Sequence, residues 1–137
     1  MASVRINPEV FRWAMTRGEK GLWAAGEHLR GALRITLSGQ RHGRWYRVPG
    51  TKKDYQASAP GEAPAVRTGD LKKRVASSLE RNADESTLMV GTNAPQGKIL
   101  EFGTSQIAPR PWMRPTVTRE WAAMKERFAK ASGFLVK

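Results

Sequence analysis

Apolar residues recur at alternating intervals of four and three along the first quarter of the chain: Phe11, Met15, Gly18, Leu22, Ala25, Leu29 and Ala32. That spacing lays one apolar stripe along several helical turns and predicts an amphipathic helix over 8–37. Asn7-Pro8-Glu9 marks its start, with a capping side chain, a preset φ at the first helical position and an acid in the positive first turn. Gly18, Gly21, Gly26 and Gly31 each cost up to ~1 kcal/mol relative to alanine, so the helix must be held by packing, and small residues allow a partner close. Arg12, Glu19, Lys20, Glu27 and Arg30 make the opposite, solvated face. Trp13 and Trp23 lie off the stripe and serve either flank packing or a partner surface.

From 38 to 70 the helical period is lost and Gly, Pro, Ser and charged residues dominate. Arg44-Trp45-Tyr46-Arg47-Val48 and Tyr55-Gln56-Ala57 read as two short strands joined by 49–54, a hairpin with a basic tip. A lone two-stranded hairpin is marginal in water, so it must lean on its own core or on a neighbouring subunit. Residues 58–65 form an extended strap punctuated by proline and glycine, too poor in apolar side chains to build core.

Beyond Gly69 the alternation of Val75, Ser77 and Leu79 with Ala76 and Ser78, a turn at 82–85 and the extended run Thr87-Leu88-Met89-Val90 predict an antiparallel pair. Leu71-Lys72-Lys73-Arg74 forms a short helical turn before it. Ile99, Leu100 and Phe102 make a small apolar cluster closed by Gly103, and the segment 71–104 is assigned to the small sheet. Val117, Trp121, Met124 and Phe128 then define a second amphipathic helix over 115–132, ending near Gly133. The expected fold is one α+β domain over 1–137: a long N-terminal and a C-terminal helix on a small antiparallel sheet, with residues 38–70 as a long extended loop and β-hairpin arm.

Charge narrows the range of partners. Lys and Arg outnumber Asp and Glu by 24 to 12, for a net charge of +12 that favours polyanions or acidic proteins and opposes association between copies. Its densest stretch is Arg41, Arg44, Arg47, Lys52 and Lys53, interleaved with Trp45, Tyr46 and Tyr55. Cations there can meet phosphates while rings stack on bases, or the rings can pack on their own protein. Zero cysteine excludes disulfides, thiolate metal sites and thiol nucleophiles, and His28 and His42 cannot alone furnish a metal cage. No run approaches the roughly 18 apolar residues of a membrane span, and residues 1–7 hold no apolar signal core.

The acids Asp54, Glu62, Asp70, Glu80, Asp84, Glu85 and Glu101 fall in loops and turns without a companion histidine, so no catalytic site and no cofactor is expected. A metal-dependent nuclease, the enzyme most compatible with the charge, would need two or three convergent carboxylates. His28 reads as a packed or surface histidine. Glu101 stands at the end of the apolar cluster, where a salt bridge to Arg110, Arg114 or Arg119 is expected within the chain or across a subunit boundary. The prolines around Trp112 and Met113 present these two rigidly as anchors for this domain or a neighbour.

Two blocks of sequence resemble the small neck, or head-tail connector, proteins of long-tailed bacteriophages, also described as minor tail or tail-completion components. Ser58-Ala59-Pro60-Gly61-Glu62-Ala63-Pro64-Ala65, leading to Thr68-Gly69-Asp70-Leu71, is similar to the family's strap. Leu100-Glu101-Phe102-Gly103-Thr104, then Ala108-Pro109-Arg110-Pro111-Trp112-Met113-Arg114-Pro115, is similar to its second signature. Arg74-Val75-Ala76-Ser77 departs from the serine-isoleucine strand that commonly follows the first block.

The resemblance implies a non-catalytic structural virion protein, assembled in the host cytoplasm into a homo-oligomeric ring of six or twelve copies. That ring would join the portal-side connector to the tail proteins, with non-specific contact to passing DNA and neither membrane nor small-molecule substrate. On that reading Trp45, Tyr46, Tyr55, Pro60, Glu62, Glu101, Phe102, Thr104, Arg110, Trp112 and Arg114 are subunit-interface candidates, and Arg41, Arg44, Arg47, Lys52 and Lys53 face DNA. The alternatives are a free nucleic-acid-binding protein and the nuclease.

Overall fold

The computed structural model describes every residue except 1, 2, 4, 6, 60 and 135–137, so the interface candidate Pro60 lies outside the described residues. Helix α1 spans Pro8–Thr36. Asn7 Oδ1 accepts the Glu9 N–H at 2.9 Å, as expected of a capping asparagine. The buried positions are Gly21, Gly26, Leu29, Ala32 and Leu33, a band wider than the expected stripe, because α1 is packed on two sides. A Cβ at Gly26 would overlap Leu88 Cδ2, and one at Gly21 would stand 2.7 Å from Phe128 Cδ2. Two of the four glycines that weaken the isolated helix, Gly21 and Gly26, are thus where helix and strand come nearest to it, whereas Gly31 faces open space.

Strands β1 (Trp45–Arg47) and β2 (Asp54–Gln56) pair as the first antiparallel ribbon, and β3 (Val75–Arg81) with β4 (Ser86–Thr92) as the second. A single turn, α2 (Asp70–Lys73), precedes β3. The second ribbon runs in unbroken register from Val75↔Thr92 to Arg81↔Ser86 and packs on α1. Helix α4 (Met113–Ser132) lies antiparallel to α1, as the Gly21–Phe128 approach and the His28 Nε2–Glu120 Oε2 pair at 2.7 Å show. The molecule is thus α+β, with helices on a small antiparallel sheet.

The expected sheet segment 71–104 holds a further helix, α3 (Pro95–Phe102), which the apolar cluster did not announce. Pro95 occupies its first turn, where the missing N–H costs nothing, and Gly97 is buried with Thr92, Leu71 and Trp112 around it. Of the cluster, Leu100 turns to the core while Ile99 and Phe102 remain exposed.

The core is formed by Leu29, Leu33, Leu37, Val75 and Trp112, with Leu71, Leu100, Met113, Val117 and Met124 packed around it. Ala63 of the strap joins this cluster, and Ser58 and Pro64 are buried. The strap therefore folds back on its own chain, and the long extended arm expected over 38–70 is not confirmed. What remains projecting is the hairpin.

Candidate functional site: a basic aromatic hairpin and its clamp

Strands β1 and β2 pair Trp45 with Gln56, Tyr46 with Tyr55 and Arg47 with Asp54. Across the ribbon the Tyr46 and Tyr55 rings lie 6.0 Å apart, and Arg47 Nε donates to Asp54 Oδ1 at 3.1 Å. The tip is closed by Val48 N–H to the Lys53 carbonyl at 2.9 Å and by Gly50 at φ 74°, a left-handed conformation natural to glycine. Trp45 is 64% exposed and Tyr46 48%. Among the described residues, the two strands pack substantially on no other helix or strand than each other. Arg44, Lys52 and Lys53 are exposed with no acidic partner among the described residues, so the hairpin presents rings and free cations together.

Below the strands the hairpin is clamped. Gly43 N–H donates to the Ala57 carbonyl at 2.8 Å, and a Cβ at Gly43 would stand 2.6 Å from that oxygen, so the crossing of the two segments requires glycine. Glu62 takes His42 Nδ1 at 2.5 Å on one oxygen, and the N–H groups of Ala59 (2.7 Å) and His42 (3.1 Å) on the other. Arg110 Nη1 donates to both the carbonyl and the hydroxyl of Ser58. Tyr55, Val66, Leu71, Leu100 and Arg110 line a groove of about 560 Å³ between the strap, α2 and α3.

The Ala59 N–H, then the His42 ring and its N–H, hold the Glu62 carboxyl far below the usual carboxylate range, to about 2. A depressed folded value means the clamp's contribution is complete above the ordinary carboxylate pKa and is lost as pH falls toward 2. Protection of the Ala59 amide, measured against its intrinsic exchange rate at each pH, should fall across that window in the natural chain, and Glu62→Ala should leave that protection low at every pH. An Ala59 amide that stays as protected in the variant as in the natural chain would contradict the assignment.

Several sequence-predicted residues have other work. Arg41 is not a free cation. Its Nη2 donates to the carbonyls of Thr36 (2.6 Å) and Pro64 (3.2 Å), Nε to Ala63 (2.8 Å) and Nη1 to Ser38 (3.1 Å), joining the end of α1 to the strap. Among the described residues of this chain, Glu101 forms no salt bridge with Arg110, Arg114 or Arg119. It accepts the backbone N–H groups of Trp112 (2.7 Å), Met113 (2.8 Å) and Arg114 (3.0 Å), capping α4.

Trp112 is 2% exposed and donates its ring N–H to the Gly97 carbonyl at 3.1 Å, so it anchors its own chain. Phe102 is 59% exposed with the Arg114 guanidinium 5.5 Å above its ring, and Thr104 Oγ1 accepts the Gln106 and Ile107 N–H groups. Among the interface candidates, the surface is thus left to Trp45, Tyr46, Phe102, Thr104 and Arg114, with Tyr55, Glu62 and Arg110 half-buried at the clamp.

Among the described residues no three of His, Asp and Glu stand together as a metal site, and no helix is long and apolar enough to cross a membrane. Comparison with protein-family models, curated proteins and solved structures gives no match to this chain.

Proposed function

We infer that the chain is a structural assembly subunit that forms a ring in the neck of a tailed phage, joining the DNA-filled head to the tail. The observation that carries this reading is the hairpin: two exposed aromatics and free cations on a ribbon that, among the described residues, packs on no other helix or strand to any substantial extent. A two-stranded ribbon is marginal by itself, and packing on an adjoining copy, portal-side connector or tail protein supplies the missing surface. The net charge of +12 supports a lumen that meets DNA through scattered phosphate contacts, weak and salt-sensitive, without reading bases. The two blocks of resemblance add an independent reason for the neck assignment.

Trp45→Ser with Tyr46→Ser tests it. Both side chains are exposed, so the subunit should lose no more than about 0.5 kcal/mol of stability while ring formation and head-tail joining fail. Undisturbed rings and intact particles from this variant would refute the role given to the hairpin. Tight duplex binding by a monomer at physiological salt would favour the free nucleic-acid-binding protein instead.

A further inference from the structure

The β3–β4 ribbon has two strands and hence two edges, that of β3 occupied at Val75 by Arg34. The turn fixes which groups they present. Asn82 N–H donates to the Glu85 carbonyl at 2.8 Å, so in the ladder above it Glu80–Thr87, Ser78–Met89 and Ala76–Gly91 bond one another. Leu88 and Val90 on β4, and Val75, Ser77 and Leu79 on β3, then turn their backbone groups outward. The Arg34 guanidinium donating to the Val75 carbonyl at 3.3 Å agrees with that parity. On β4, among the described residues, no backbone group of another element bonds the outward edge.

The edge is firmly seated, because Leu88 and Val90 come closest to α1 at Gly26. It also lacks the devices that normally deter strand pairing. Strand β4 has no lysine, no proline and no break in register, and from Ser86 through Gly97 the chain carries no charge at all. Copies bearing +12 repel one another, and this uncharged strip is where they can approach without opposing charges on both sides.

We propose that the outer edge of β4 is a strand-addition site for a second copy of this chain, whose β3 pairs antiparallel with it. Strand β3 matches β4 at seven residues, whereas β1 and β2 have three each. Placing β3 of one copy beside β4 of another repeats the alternation already within the ribbon, and each added copy presents a fresh β4 edge. Such a heterologous contact propagates, and it gives a ring where the rotation between copies closes and an open filament where it does not. Closure rests on the ring reading above; the edge contact does not depend on the hairpin.

Residue-resolved hydrogen exchange across a concentration series tests this contact. On association the amides of Leu88, Val90, Ser77 and Leu79 should become slow, while those of Met89 and Gly91, bonded within the ribbon, stay slow throughout. Thr87→Lys with Met89→Lys puts charge on the exposed face of the strand without entering the core, and should raise the concentration needed for assembly roughly tenfold at unchanged circular dichroism.

A chain monomeric at every concentration, fast exchange at Leu88 and Val90 within an assembly, or unchanged assembly of the lysine variant would each overturn the proposal. So would a species that stops at two copies with β4 alone protected, which would mean β4 pairing with β4. If the hairpin variant assembles normally while β4 becomes protected, the neck reading fails and this one stands.

Discussion

Trp112→Ala is expected to lower the unfolding free energy by about 4 kcal/mol, with the midpoint of urea denaturation falling and the slope unchanged. The ring is 2% exposed and sits where α1, α3 and α4 converge with β3, beside Leu29, Leu33, Leu37 and Val75. Removing it leaves a cavity that neighbours on three separate elements cannot jointly fill, and it strands the Gly97 carbonyl that the indole N–H now satisfies. Trp112→Phe separates these losses. It keeps most of the volume and should cost about 1–2 kcal/mol, largely the unsatisfied carbonyl. A loss below 1 kcal/mol for the alanine variant would show that the tryptophan is not the keystone of this interior.

Glu101→Ala should cost about 3 kcal/mol, the second largest effect, since one buried carboxylate satisfies three N–H groups at the start of α4. Glu101→Gln retains the shape and one acceptor oxygen, and should recover about half of that loss. Burial pushes the Glu101 carboxyl up, but the Arg114, Met113 and Trp112 N–H groups and the nearby Arg114 charge outweigh it, so its pKa lies below the ordinary value. With a depressed folded value, this stabilisation is full above the ordinary carboxylate pKa and disappears as pH falls through the folded one. The gap in stability between the natural chain and Glu101→Gln should therefore be wide at neutral pH and narrow under acid. A gap that persists unchanged into acid would show that the ionised carboxylate is not what holds the helix start.

The long elements were legible because their signals are local. Helices α1 and α4 each repeat an apolar spacing over several turns, and both ribbons combine alternation with a polar turn. Helix α3 was not, because eight residues with one core-facing leucine and a buried glycine leave no period to read. The roles of Arg41 and Glu101 were hidden for another reason. Charge density and ion-pair reasoning consider side chains, whereas both residues bind backbone groups: Arg41 the carbonyls of Thr36, Ser38, Ala63 and Pro64, Glu101 the amides eleven to thirteen positions away. The recurring proline segment near Trp112 suggested a rigid anchor, but spacing alone could not say that it points inward.

Arg41 has a mechanical consequence. By fastening the last turn of α1 to the strap beneath the hairpin, it makes a rigid elbow between a projecting ribbon and a 29-residue rod about 44 Å long. Because that rod is packed along α4 and the second ribbon, a push at Lys52 and Lys53 is passed through the elbow to the whole body of the protein rather than absorbed in the hairpin.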